Sequence, residues 1–293
     1  MARSAREQLD RALAELGDTK RDRHAAIHEA RKCCKRLRGL LRLARSGLGD
    51  KLYRRENAAV RDAARRLSAL RDAEALLETY DKLSERFADK IDRRRIAPVR
   101  RALAGRHAEL AEADLEERIA AFCADLAAVR QRLPTWPPAG GFDVLSTGLR
   151  GTYERARKAM QAAYAAPSAE RFHDWRKRVK YHRYHLELLA GMWPRQIGGR
   201  CKEVKALGGR LGDEHDLAVL QASLVAEPGS FGEDSARAVL ALAERRRAEL
   251  RALMRPLGGR LFAERPRALA RRFEAYWRAA QSEAEDGRGR KVA

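Results

Sequence analysis

Between His24 and Ala44 the apolar residues Ile27, Ala30, Cys34, Leu37, Leu41 and Ala44 recur three or four positions apart, and the face between them is polar. That spacing is the period of an α-helix with one buried stripe. The same period continues through most of the chain. Ala, Leu, Arg and Glu dominate it and β-branched residues are sparse, so the pattern predicts an all-α fold.

Helix breakers divide the pattern. Ser4 and Glu7 stand at capping-box spacing for a first helix ending near Gly17. A second helix is predicted over 20–46, stopping at Gly47 and Gly49, and a third over 50–67, with Ser68 interrupting it before a helix that reaches Ile91. Pro98 is predicted to open a long helix that ends at Pro134. The Pro/Gly-dense stretch 134–141 reads as a linker. Beyond it, helices are predicted over 142–164, 169–191, 194–211, 213–226, 233–256 and 266–281, with 282–293 as a disordered tail. The expected organisation is a first half-repeat over 1–133, the linker, and a second half-repeat over 142–281.

The two halves share a block of sequence. Laying His28 over His173 matches His28/His173, Arg31/Arg176, Lys32/Lys177, Lys35/Lys180, Arg38/Arg183, Leu41/Leu186 and Leu43/Leu188. A second block follows, matching Leu67/Leu211, Asp72/Asp216 and Leu76/Leu220. On a helix, His28, Arg31, Lys32, Lys35 and Arg38 fall within an arc of about 120° and form a stripe roughly 15 Å long. Arg42 prolongs this stripe and His24 precedes it by one turn. The second copy repeats the division, with His173, Arg176, Lys177, Lys180 and Arg183 opposite Trp175, Val179, Leu186 and Leu189. Glu187 stands where the first half has Arg42, so the second stripe is shorter.

Like charges one turn apart destabilise a helix by a few tenths of a kcal/mol per pair. Each stripe stacks several such pairs, with no acidic partners expected at those spacings, which points to a face built to bind an anion. The following helix adds cations in register, Arg61 over Lys205 and Arg66 over Arg210, while Arg65 faces Gly209. Arg61, Arg65, Lys205 and Arg210 therefore join the candidate site. Asp72 and Asp216 are expected to cap a helix or pair with an arginine, a structural role.

Charge narrows the partner. The chain has 62 Lys+Arg against 41 Asp+Glu, a net charge of +21 and a sequence pI near 10.5. A folded chain this basic repels itself unless a polyanion neutralises it. Fifty arginines against 12 lysines suit phosphate, because a guanidinium grips two oxygens at once. No run approaches the roughly 18 apolar residues of a membrane span, and the first residues lack a secretory apolar region, so a cytoplasmic location is expected. Cys33, Cys34, Cys123 and Cys201 show no zinc-finger spacing and are expected to be reduced, with no metal and no cofactor. His182 and His185 are spaced as metal ligands could be, yet His182 falls on the apolar side, and both read as core histidines.

The doubled H-x-x-R-K-x-x-K-x-x-R block, each copy followed by L-x-x-x-x-D-x-x-x-L, resembles the CHAD domain, the conserved-histidine α-helical domain. The resemblance covers about residues 3–281. It implies two helical, four-helix-type bundles related by an internal pseudo-twofold repeat, with a basic groove between them. It also implies non-catalytic binding of inorganic polyphosphate, in some relatives at polyphosphate granules. Carried over by position, the ligand-facing set is His28, Arg31, Lys32, Lys35 and Arg38 with His173, Arg176, Lys177, Lys180 and Arg183. Glu187 and Gly209 depart from full symmetry, and no E-x-E-x-K of a triphosphate-tunnel module occurs.

Two other classes compete. RNA or DNA binding would suit the charge, but only 6% of residues are aromatic and no nucleic-acid recognition signature emerges. A polyphosphate-cleaving or histidine phosphotransfer enzyme would want a carboxylate cluster or a nucleophile–base pair, and the stripes contain no acids. Fixed positive charge around His28 and His173 should depress their pKa, so binding is expected to tighten from about pH 8 to 6.

Overall fold

The computed structural model describes residues 1–18, 20–112, 114–138 and 140–292, with side chains described except at 69–71, 110–112 and 286–292. Among the described residues every regular element is helical. The first half contains α1 (Ala2–Gly17), α2 (Arg23–Leu43), the single turn α3 (Arg45–Leu48), α4 (Asp50–Arg66), α5 (Ser68–Arg86), α6 (Arg93–Glu112) and α7 (Leu115–Arg132). The second contains α8 (Phe142–Ala165), α9 (Ala169–Leu189), α10 (Pro194–Ala226), the single turn α11 (Pro228–Phe231), α12 (Glu233–Leu261) and α13 (Pro266–Val292). None of these helices is long and apolar enough to cross a membrane.

Several helix ends differ from the sequence reading. The first helix starts at Ala2 with no side-chain cap, so Ser4 and Glu7 do not form a capping box. Asp22 caps α2 instead, its carboxylate accepting from the Ala25 N–H at 2.8 Å. Gly47 does not stop the second helix. It lies within α3, and the chain turns at Gly49, whose φ of 74° favours glycine. Pro98 sits inside α6 rather than opening it, and the segment up to Pro134 is broken where Asp114 adopts φ 45°. Ala113 lies outside the described residues, as does Ala139 of the 134–141 stretch.

In the second half two predicted breaks are bridged. Gly212 does not divide α10, a single 33-residue helix, because Leu207, Leu211 and Leu220 are buried on both sides of it. A helical glycine costs only about 1 kcal/mol, which that burial offsets. The first half does break at the matching place, where the Ser68 hydroxyl donates to the Arg65 carbonyl at 2.8 Å. Likewise α12 runs through Pro256 to Leu261, carried by buried Met254 and Leu257. Residues 282–285, expected in the tail, continue α13, as their Ala and Glu content allows.

The apolar faces close two cores. In the first, Leu9 and Leu16 of α1 pack with Ile27, Leu37 and Leu41 of α2, Val60 of α4, and Phe122, Leu126 and Val129 of α7. The second gathers Tyr153 of α8, Phe172 and Trp175 of α9, Leu207 and Leu220 of α10, Val239 and Leu250 of α12 and Phe273 of α13. Tyr80, Leu83, Phe87, Ile96, Val99 and Leu103 belong to this second core although they lie on or beside α5 and α6. The α5–α6 hairpin of the first half thus packs on α10 and α12 of the second.

Helices α2 and α9, which carry the two stripes, meet directly. A Cβ on Gly39 would stand 2.8 Å from the Cβ of Tyr184, so the absence of a side chain there sets how closely they approach. The buried His185 ring donates from Nε2 to the Gly39 carbonyl at 3.1 Å, and Arg42 stacks over the Tyr181 ring at 3.8 Å. Overpacking such a contact costs typically about 1–3 kcal/mol. Gly39→Ala is therefore expected to destabilise the fold by about 2 kcal/mol, read as a shift in the urea midpoint. An unchanged midpoint would show that the α2–α9 approach is not set there.

Candidate functional site

Where α2 and α9 diverge from their crossing, the polar stripes line two adjoining cavities. One, of about 370 Å³, is lined by Arg31, Lys35 and Arg38 of α2, Arg61 and Arg65 of α4, and His173, Arg176, Lys177 and Lys180 of α9. The other, of about 550 Å³, is lined by His28, Arg31 and Lys35 of α2, Arg176, Lys180 and Arg183 of α9, and Lys205 and His215 of α10. Arg31, Lys35, Arg176 and Lys180 face both. The halves enter in exchanged order. His173 completes the cavity built on α2 and α4, and His28 the cavity built on α9 and α10. Gly208, Gly209 and Gly212 keep the α10 wall low, where α4 and the start of α5 present Ala64, Arg65 and Ser68.

The cations are held by a framework of carbonyls and carboxylates. Arg31 donates to the Ala64 carbonyl at 3.1 Å and lies 4.0 Å from Asp72. Arg176 lies 3.9 Å from Asp216, so both repeated aspartates sit beside the matching arginine. Arg38 donates to Asn57 Oδ1 at 3.1 Å, and Arg61 and Arg65 both approach Asp62. The stripes are not free of acids, contrary to the sequence reading. Lys32 pairs with Glu29 at 2.8 Å, Lys177 with Asp174 at 3.3 Å and Arg183 with Glu187 at 3.2 Å, each within about one turn of helix.

Three candidates lie outside both cavities. Lys32 is turned toward Glu29, and Arg42 is packed at the α2–α9 crossing, where it donates to the Arg38 carbonyl at 3.0 Å. Arg210 lies on α10 and lines neither cavity. The other twelve positions line one cavity or both.

Burial of so much like charge shifts protonation. Burial, with Arg176 and Lys35 close by, pushes the Lys180 ammonium down to about 7. The His173 imidazole is lowered, in the direction expected, by burial first and then by Lys177 and Arg176. The sequence does not single out His215. Its Nδ1 lies 3.1 Å from Nδ1 of His173, so one ring donates and the other accepts, and burial with Arg176 pushes its pKa down to about 3. Its counterpart in the first half is Arg71, so the repeat carries no histidine signal there. Tyr181 and Tyr184, which the stripe pattern also passes over, line the first cavity.

His182 and His185 are fully buried core residues, the first among Tyr153 and Phe262 and the second at the Gly39 carbonyl. Among the described residues no three His, Cys, Asp or Glu side chains form a group that could hold a metal ion. All four cysteines are free thiols, and burial lifts Cys34, which lines the first cavity, to about 12.

Residues 3–225 match the profile of the CHAD domain, about three quarters of the chain. The chain belongs to the CHAD domain family. A solved structure, PptA from Streptomyces chartreusis, is similar in fold, with a TM-score of 0.64 and 16% sequence identity over 90% of this chain and 98% of that one. No curated protein matches the sequence. The CHAD match ends at residue 225, one residue before the end of α10, so α12 and α13 lie beyond it while still closing the second core.

Proposed function

We propose that this CHAD domain binds inorganic polyphosphate without turning it over, along the two adjoining cavities. The observation that carries the reading is the overlap of those cavities at Arg31, Lys35, Arg176 and Lys180. A linear chain of identical anionic units passes from one cavity to the other and meets cations throughout, with no base to read. Arginines supply paired donors to the phosphoryl oxygens, and lysines supply point charges. The carbonyls and aspartates behind them hold the guanidinium groups in place before the polymer arrives, which lowers the ordering cost of binding. In the cell this reading puts the protein in the cytoplasm, at polyphosphate granules where those form.

Calorimetric titration with short and long polyphosphate tests it, with competition by duplex DNA and tRNA at equal phosphate concentration. Polyphosphate is expected to bind with an affinity that falls steeply with salt, and neither nucleic acid is expected to displace it. Displacement by either would favour the nucleic-acid reading. Release of orthophosphate by the purified protein with Mg²⁺ would make it an enzyme instead.

A further inference from the structure

His173 lines the first cavity and His215 the second, and the two rings touch. Their centroids are 4.2 Å apart, their planes are inclined at 38°, and Nδ1 lies 3.1 Å from Nδ1. A neutral imidazole has one N–H and one bare nitrogen, so a bond between two Nδ1 atoms fixes opposite tautomers in the neutral pair. The ring that donates from Nδ1 is bare at Nε2, and the ring that accepts at Nδ1 carries its hydrogen on Nε2. With both Nδ1 atoms engaged, Nε2 is the nitrogen each ring has left for its cavity. The neutral pair therefore offers one donor and one lone pair, and a lone pair repels a phosphoryl oxygen. A single proton corrects this. Added at the bare Nε2, it makes both Nε2 atoms donors and leaves the Nδ1–Nδ1 bond in place, now charge-assisted. A second proton would set N–H against N–H across 3.1 Å and break the contact.

We propose that His215 is a polyphosphate-binding residue that works with His173 as a single unit, the pair taking up one proton with the polymer and not two. The inference deepens the polymer reading and takes its ligand from it. His215 is also the positioning partner, because its Nδ1 accepts from the charged His173 and leaves the Nε2–H of that ring for the anion. The surroundings explain why the free pair is neutral and the complexed pair is not. His173 is faced by Arg176, Lys177 and Lys180 of its own helix, by Arg31, Cys34, Lys35 and Arg38 of α2, and by Arg61 and Arg65 of α4, with Tyr181 and Tyr184 in the same cavity. His215 is faced by Arg176, Lys177, Lys180 and Arg183 of α9, by His28, Arg31 and Lys35 of α2, and by Lys205 of α10. The carboxylates nearby, Asp174, Asp72 and Asp216, lie 3.3, 4.0 and 3.9 Å from Lys177, Arg31 and Arg176. Burial and these cations hold both rings below the ordinary histidine value, His215 lowest at about 3, so the proton belongs to His173. A bound polyanion neutralises the cations, and the pair then takes its proton from solvent.

Two measurements test it. In the free protein at about pH 7.5, ring-nitrogen NMR spectra of His173 and His215 should show opposite tautomers, one bare at Nε2 and the other bare at Nδ1. The same tautomer in both rings would overturn the pairing. The second measurement counts protons. Polyphosphate is titrated at about pH 5.5 into wild type, His215→Phe and His215→Gln, by calorimetry in buffers of different ionisation heat. Phenylalanine keeps a ring but offers His173 no acceptor, whereas the glutamine carbonyl oxygen accepts from Nδ1–H. His215→Phe should take up about one proton fewer than wild type and bind about tenfold more weakly, the value of one charge-assisted hydrogen bond. His215→Gln should keep the wild-type count and bind within about threefold of wild type. Lys180 and His28 are present in all three proteins, so their protons cancel in the comparison. Equal counts in wild type and His215→Phe, a loss of two protons, or the same loss in His215→Gln would overturn the proposal and leave the polymer reading intact. Absence of polyphosphate binding in wild type would overturn both.

Discussion

Replacing Lys35 and Lys180 together by glutamate is expected to weaken polyphosphate binding by at least about 1,000-fold, roughly 4 kcal/mol. These two lysines are half of the set that faces both cavities, and each reversal turns an attraction into a repulsion at the point every bound chain must cross. At an effective dielectric of about 20, one charge pair at about 4 Å is worth about 4 kcal/mol, so two reversals carry the estimate with room for screening. The slope of log affinity against log salt should become shallower by roughly the number of phosphates no longer neutralised. Folding should survive, because a glutamate at 180 gains Arg176 as a partner where the lysine had it as a like charge. The informative control is Lys32→Glu/Arg210→Glu, which likewise replaces two basic residues by glutamate but outside both cavities. That pair is expected to cost less than about tenfold. Equal losses from the two double variants, measured by calorimetry at one salt concentration, would show that bulk charge and not a placed site holds the polymer.

The contrast between those variants marks what the sequence reveals and what it does not. Helical period places most of the candidate cations on the cavities, because a stripe opposite a core face has only one direction to point. The three exceptions have local causes that the period does not encode. Lys32 lies at the edge of its arc, within reach of Glu29. Arg42 shares the arc of Lys35 but lies beyond Gly39, where α2 and α9 have closed together and Tyr181 occupies the space. Arg210 is placed by register alone, with no neighbouring stripe to fix its direction.

Helix ends are less legible than helix faces. Gly212 and Pro256 are breakers by residue type, yet buried Leu211 and Met254 beside them keep the chain helical. Local propensity of about 1–3 kcal/mol is outweighed by core burial that no local rule contains. The packing of α5 and α6 on the second core has the same origin. An amphipathic face announces that it needs a partner without saying which. His215 is hidden for a different reason. The repeat sets Arg71 against it, and only the fold brings its Nδ1 to 3.1 Å from that of His173.

Affinity for polyphosphate is expected to fall as pH rises from about 7 to 9, by up to about tenfold per pH unit, and Lys180 rather than histidine sets that window. The free protein holds Lys180 near pKa 7 through burial, Arg176 and Lys35, against the partial opposition of Asp216. Around it α2 presents Arg31, Cys34 and Arg38, α4 Arg61 and Arg65, and α5 Asp72. From α9 come His173, Lys177, Tyr181, Arg183 and Tyr184, and from α10 Lys205 and His215. A bound polyanion favours the charged amine, so above about pH 7 binding must take up a proton, and affinity declines until the pKa of the complex is reached. His173, lowered from its ordinary value, starts its own proton uptake at lower pH than Lys180, and His215 is pushed down to about 3 in the free protein. The His28→Ala/His173→Ala variant should therefore keep the decline between about pH 7 and 9, whereas Lys180→Arg should flatten it. Stability of the free protein runs the other way. A lysine whose folded pKa lies below its unfolded value binds fewer protons when folded, so the free chain gains stability from about pH 7 up to the unfolded pKa near 10.4, at most about 1.4 kcal/mol per pH unit. Opposite slopes of affinity and stability over the same interval, both removed by Lys180→Arg, are the expected signature. A fall in affinity that persists in Lys180→Arg would assign the proton to another group.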